Sequence, residues 1–307
     1  MSHITVMEVS PRDGLQNEAK LVSTEDKLRL VDRALAAGCE RIEVTSFVNP
    51  KVVPQMADAE AVCQGLPQRG DVRYTGLILN QRGYDRLRAT ERLDEAGLVI
   101  AASDTFGERN QGMDVETGLA MAKDILRQGS ASGFPVQVTI AVAFGCPFEG
   151  DVPLERVVEM AKSLAEAEPV EIALADTIGV GVPQQVEETF LRLKEVIGDI
   201  PLRAHFHDTR NTGIGNAYAA VKAGVTTLDA SIGGIGGCPF APAATGNIPT
   251  DDLLYMLDRS GVETGVSLDK IIETSHWLEE QLGRGTPAML PKAGIFPQIA
   301  EQYKEAS

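Results

Sequence analysis

Basic side chains, aromatic rings and histidines are all scarce in this sequence, and each shortage narrows what the chain can do. Lys and Arg number 28 against 44 Asp and Glu, a formal net charge of −16. Nucleic acid and anionic membrane surfaces are held by broad basic faces, so neither is expected as a partner. An anionic small molecule stays compatible with that balance wherever a local arginine overrides the global field. No apolar run approaches the ~20 residues that span a bilayer, and no secretory-type hydrophobic leader opens the chain. A soluble, cytoplasmic protein is the expectation. The four cysteines, Cys39, Cys63, Cys146 and Cys238, contain no C-x-x-C pair and read as free thiols rather than disulfides or a zinc knot. Tryptophan occurs once and aromatics make up 5%, yet 43% of the chain is hydrophobic. A core of Ala, Val, Leu and Ile suits helices packed on a parallel sheet.

With only four histidines in 307 residues, their placement carries information. Two of them, His205 and His207, stand in Arg203-Ala204-His205-Phe206-His207-Asp208. On a strand, side chains two apart face the same side, which is metal-ligand spacing. Two buried imidazoles side by side also need hydrogen-bond partners in one small volume, which a plain core rarely provides.

Apolar periodicity switches between strand and helix along most of the chain. Eight strand–helix pairs are expected. The strands are residues 4–10, 41–47, 72–79, 98–103, 136–144, 170–175, 202–207 and 227–232. The helices that follow them are residues 24–37, 55–65, 84–95, 115–132, 154–167, 184–197, 215–223 and 250–259. Eight pairs in roughly 260 residues match the α/β class and a (β/α)8 TIM barrel, usually about 250 residues long. An open doubly wound sheet would carry a glycine-rich phosphate turn after its first strand, and Pro11-Arg12-Asp13-Gly14 is not one. Residues 1–285 are read as the catalytic barrel domain, including a further helix Leu268 to Leu282. Residues 286–307 are read as a C-terminal tail packed on the barrel or on a partner subunit.

Active sites of such barrels lie at the C-terminal ends of the strands. Arg12 and Asp13 follow strand 1, Asp176 follows strand 6, His207 ends strand 7 and a glycine-rich loop follows strand 8. Closure makes strands 1, 7 and 8 neighbours. Asp13, His205 and His207 then form a two-histidine, one-carboxylate set that holds a divalent cation and leaves sites open. Asn247 is either a fourth, amide ligand or a turn and N-cap residue. Mixed oxygen and nitrogen donors favour magnesium or manganese, with zinc open. Arg12 beside the ligand suits oxyanion stabilisation. Glu43, inside strand 2, would be costly unless paired and is expected to orient Arg12 or a ligand. The run Gly233-Gly234-Ile235-Gly236-Gly237-Cys238-Pro239-Phe240 is neither a helix nor an interior strand; it is a phosphate cradle or a flap that brings Cys238 to the site mouth. Gly145-Cys146-Pro147-Phe148 repeats its last four letters, so Cys146 competes for the same role; the glycine hinges favour Cys238.

The stretches Glu8 to Glu18, His205 to Thr209 and Ser231 to Phe240 closely resemble the 3-hydroxy-3-methylglutaryl-CoA lyases, metal-dependent barrel enzymes related to isopropylmalate and homocitrate synthases. The likeness runs from about residue 4 to residue 285, and the glycine–cysteine loop belongs to the lyase branch. The resemblance implies that Asp13, His205, His207 and Asn247 bind magnesium or manganese. It implies that Arg12 stabilises an enolate, that Cys238 is the loop acid or base, and that Glu43 and Asp176 support the site. His205 or Asp13 would be the base, and Gln16 and Arg210 would join Arg12 in binding substrate. The implied reaction is retro-Claisen cleavage of 3-hydroxy-3-methylglutaryl-CoA to acetyl-CoA and acetoacetate, a step of leucine degradation, by a homo-oligomer, dimer or tetramer. Citramalyl-CoA or another branched 3-hydroxy-dicarboxyl-CoA is the alternative substrate; a condensing acyltransferase of the synthase type lacks that loop. Two departures stand out. Arg210 replaces the family's tyrosine after His-Asp-Thr, and Asn17-Glu18-Ala19-Lys20 stretches the usual Asn-Glu-Lys, so a CoA contact from Lys20 is weakly supported.

Overall fold

The computed structural model describes residues 2–237 and 246–296. Eight parallel strands close on themselves: β1 (Thr5–Glu8), β2 (Arg41–Ser46), β3 (Arg73–Ile78), β4 (Glu95–Ala101), β5 (Val136–Ala141), β6 (Ile172–Asp176), β7 (Leu202–Phe206) and β8 (Thr227–Ala230). β8 pairs with both β7 and β1, which completes the (β/α)8 barrel. Every residue of β2, β5, β6, β7 and β8 is buried, as a parallel sheet covered on both faces requires.

The outer layer comprises α1 (Thr24–Ala37), α2 (Ala59–Gly65), α3 (Gln81–Ala89), α4 (Asp104–Gln111), α5 (Val115–Ser132), α6 (Leu154–Ala165), α7 (Pro183–Ile197), α8 (Gly213–Lys222), α9 (Thr250–Arg259), α10 (Leu268–Leu282) and the short α11 (Leu290–Ala293). Local chemistry sets their ends. Ser23 caps α1 by accepting from the Asp26 amide at 3.1 Å, and Gly38 closes it in the left-handed region at φ 96°. The apolar stripes so positioned, such as Leu30 and Val31 of α1 and Phe190 and Leu193 of α7, pack on the barrel's outer surface.

Three local features depart from the sequence reading. The third helix stops at Ala89 rather than Glu95; Glu91 at φ 53° turns the chain, and Glu95 opens β4. An extra helix, α4, fills the β4–α5 connection. The first strand ends at Glu8, and Ser10–Gly14 form a wide π-type turn, with the Gly14 amide bonded to the Val9 carbonyl at 3.1 Å. Outside the barrel, Ser2–His3 pairs with Val262–Glu263. Among the described residues no helix is long and apolar enough to cross a membrane.

Candidate metal centre and active site

The π-type turn at the end of β1 swings Arg12 and Asp13 over the barrel mouth. Gly14 makes that approach possible, since a Cβ there would sit 2.8 Å from Ile235 Cγ1 and from Ser231 Oγ. On β7, register aligns His205 with Ala175 of β6, and the barrel's curvature aims His205 and His207 at the same space. Asn247 is brought beside His207 by two backbone bonds, from the Asp208 amide to the Gly246 carbonyl at 2.8 Å and from the Ile248 amide to the Phe206 carbonyl at 3.1 Å.

The three expected ligands converge. Asp13 Oδ2 lies 3.8 Å from His205 Nε2 and 3.9 Å from His207 Nε2, and all three ligand atoms fall within 4.8 Å of one another. Those separations are too long for direct hydrogen bonds and short enough for one shared ion. Burial opposes ionisation of Asp13, but Arg12 and the two imidazoles hold its carboxyl well below the usual range. Burial and the neighbouring His205 push His207 down to about 3, so its ring is neutral and its lone pair is available. Asn247 lies against the Asp13 carboxylate and donates its amide to the Ile235 carbonyl at 3.1 Å.

The surroundings also fit a divalent cation. Three guanidinium groups, Arg12, Arg41 and Arg203, are linked inside the barrel to five carboxylates, Asp13, Glu43, Glu95, Glu171 and Asp229. Formally that leaves two negative charges uncompensated, the charge of one such ion.

Arg12 sits where the sequence reading placed it. Its Nε donates to Glu43 and its Nη1 to Asp13, so Glu43 orients the arginine. Burial raises the Glu43 pKa against the pull of Arg12. A cavity of about 480 Å³ opens above these groups and is bordered by Arg12, Asp13, Gln16, His205 and His207. Gly237 stands on its rim, where its carbonyl accepts from Asn17 Nδ2 at 2.6 Å. Cys238 lies outside the described residues. Its competitor Cys146 is buried and takes a 2.9 Å hydrogen bond from Ser103 Oγ, far from free reactivity.

Other expected residues are less central. Asp176, the last residue of β6, accepts from the Val180 and Gly181 amides, both at 2.9 Å, and so fixes the loop into α7. Arg210 donates from Nη1 to the Ile178 and Gly179 carbonyls at 3.0 and 2.9 Å and does not border the cavity. Lys20 donates to the Gln281 carbonyl. The sequence reading missed Glu8, which is fully buried and accepts from the Ser10 amide at 2.8 Å, the Ile232 amide at 3.0 Å and Thr250 Oγ1 at 2.7 Å. It thereby ties the Asp13 turn, the glycine loop and the start of α9 together. It also missed the charges deep in the barrel, whose one signal was an ionic side chain in strands otherwise apolar on both faces.

The HMGL-like family profile matches residues 3–278. The chain belongs to the HMGL-like family. Among curated relatives, the (R)-citramalyl-CoA lyase of Chloroflexus aurantiacus is 42% identical, covering 97% of this chain and 98% of its own. The hydroxymethylglutaryl-CoA lyase of Bacillus subtilis is 37% identical, covering 93% and 95%. Among solved structures, an HMG-CoA lyase of Acenitobacter baumannii in complex with coenzyme A and 3-methylmalate superposes with a TM-score of 0.92 at 38% identity, covering 97% of each chain. Similarity to these lyases over nearly the whole of both chains makes this chain a carbon–carbon lyase of the CoA-thioester group. Lyases of the family use a divalent metal, and among the described residues the Asp13, His205 and His207 cluster has donors to hold one.

Proposed function

We propose that the protein cleaves 3-hydroxy-3-methylglutaryl-CoA to acetyl-CoA and acetoacetate. The observation that carries this reading is the convergence of Asp13, His205 and His207 beside Arg12 at the mouth of one cavity. Asp13, His205, His207 and Asn247 would hold magnesium or manganese, and a cation held there would supply Lewis acidity that lowers the cost of ionising the substrate hydroxyl. With His205 Nδ1 engaged by Asp229 and its Nε2 lone pair given to the cation, Asp13 accepts the tertiary hydroxyl proton. The bond between the carbinol carbon and the thioester α-carbon then breaks, and its electron pair passes to the thioester as an enolate. The remaining fragment leaves as a ketone. Arg12, steadied by Glu43, faces the developing enolate oxygen through the edge not engaged by carboxylates. Cys238, next in the chain after the rim residue Gly237, returns a proton to the enolate carbon. Gln16, whose Oε1 is buried without a partner among the described residues, orients the acyl group.

One observation favours a second substrate. The citramalyl-CoA lyase is 42% identical over almost the whole of both chains, whereas the hydroxymethylglutaryl-CoA lyase of Bacillus subtilis is 37% identical. Citramalyl-CoA has one methylene fewer between carbinol carbon and carboxylate, and the same bond changes would yield acetyl-CoA and pyruvate. Comparing kcat/KM for the two thioesters on one enzyme preparation tests the choice. A ratio favouring hydroxymethylglutaryl-CoA sustains the first reading; the reverse ratio moves the substrate and keeps the chemistry.

A further inference from the structure

A barrel interior is ordinarily layered with Val, Ile and Leu. Here charged side chains run through it. At the lower end Arg41 of β2 donates from Nε to Glu95 of β4 at 2.9 Å and from Nη1 to Glu171 at 2.8 Å. Glu171 accepts at its other oxygen from Arg203 Nε at 2.9 Å. Arg203, on β7, donates from Nη2 to Thr139 Oγ1 at 2.9 Å and from Nη1 to Asp229 on β8. Asp229 Oδ2 ends the series 3.1 Å from His205 Nδ1. All of these groups are buried. A buried ion network is a poor source of stability, because desolvation consumes most of the Coulombic gain. Its upper end meets a ligand of the metal centre.

We propose that Asp229 is a positioning residue for His205 and that Arg203 anchors Asp229; this rests on the reading of Asp13, His205 and His207 as metal ligands. An ionised carboxylate only accepts hydrogen bonds, so contact at Nδ1 places the imidazole proton there and leaves the Nε2 lone pair facing Asp13. Such outer carboxylates fix the orientation and tautomer of a ligating histidine. Arg203 uses all three nitrogens on different partners, which holds Asp229 at one height on β8. His207 has no equivalent: its Nδ1 is buried without a partner among the described residues. The two imidazoles are therefore inequivalent, and His205 is the one whose direction the barrel interior dictates.

The test uses the full-length protein, stripped of metal, and two readouts. In Asp229→Asn, of nearly the same shape, calorimetry should show Mn(II) bound about 10- to 100-fold more weakly than by wild type. Long-range ¹⁵N NMR of the imidazoles in the metal-free wild type, at alkaline pH, should show His205 protonated at Nδ1; with four histidines in the chain the spectrum is readily assigned. This second measurement does not need the variant to fold, and a merely structural role for Asp229 would not fix it. Wild-type His205 protonated at Nε2, or an Asp229→Asn variant that binds Mn(II) as well as wild type, overturns the proposal. Wild-type protein that binds no Mn(II) at all sinks the metal reading instead, and the tautomer then decides the Asp229 contact alone.

Discussion

Arg12 engages two carboxylates through separate nitrogens, a geometry that lysine and glutamine cannot reproduce. Arg12→Gln should lower kcat by about 10²- to 10³-fold, with a much smaller change in KM, because in the proposed mechanism the arginine acts on charge that develops in the transition state. Steady-state kinetics with saturating Mn(II) checks this; a variant within a few-fold of wild type would remove Arg12 from the chemistry. Arg210 makes the opposite case. From the sequence it reads as a substrate contact that could set the acyl preference, but its guanidinium is held by the Ile178 and Gly179 carbonyls outside the cavity border. Arg210→Tyr should therefore leave the kcat/KM ratio of the two thioesters within about twofold, the scale of a surface change. A larger shift in that ratio would return Arg210 to the acyl pocket.

Between residue and fold stand the loops that carry the ligands, and two positions govern them. Gly236 has φ 121°, and a Cβ there would come 2.5 Å from Asn247 Nδ2. Gly236→Ala should displace Asn247 and weaken Mn(II) binding by about tenfold or more, measured by calorimetry. Glu8 holds three loops through hydrogen bonds, yet burial raises its pKa from 4.5 to about 7. Between those values the native state keeps a proton that the unfolded chain has released. Stability should fall as pH rises through that window, by on the order of 3 kcal/mol from this group. Urea midpoints across the range should show the slope in wild type and lose it in Glu8→Gln, and an unchanged slope in the variant would assign it elsewhere. The ligand loops were legible in the sequence because Asp13, His207 and the glycine run each follow a strand end, where chemistry collects in this fold. The support beneath them was not. Glu8, Arg203 and Asp229 lie within or at the end of short buried strands, and periodicity treats such positions as core whatever their charge.

For the whole molecule, alternation of apolar patterns was enough to find eight strand–helix pairs, since each helix had clear stripes and most had a cap or a glycine stop. The errors sit where one polar segment joins two elements, as at Glu91 to Glu95 and in α4, because local turn geometry, not burial, decides those boundaries. On the proposed metal reading, the excess negative charge inside the barrel would link folding to metal. Mn(II) at about 100 times its Kd should stabilise the protein by about 2.7 kcal/mol and raise Tm in differential scanning calorimetry, with no such rise in Asp13→Asn. Equal Tm values with Mn(II) and with EDTA would separate the centre from the stability of the fold. The most direct test of the account as a whole is acetyl-CoA release from hydroxymethylglutaryl-CoA and citramalyl-CoA, by wild type and Asp13→Asn, with EDTA and after adding back Mn(II) or Mg(II). The account predicts that EDTA abolishes release of acetyl-CoA, that added metal restores it in wild type, and that Asp13→Asn stays inactive under both conditions. Release that persists in EDTA, or no release from either thioester with metal present, would contradict it.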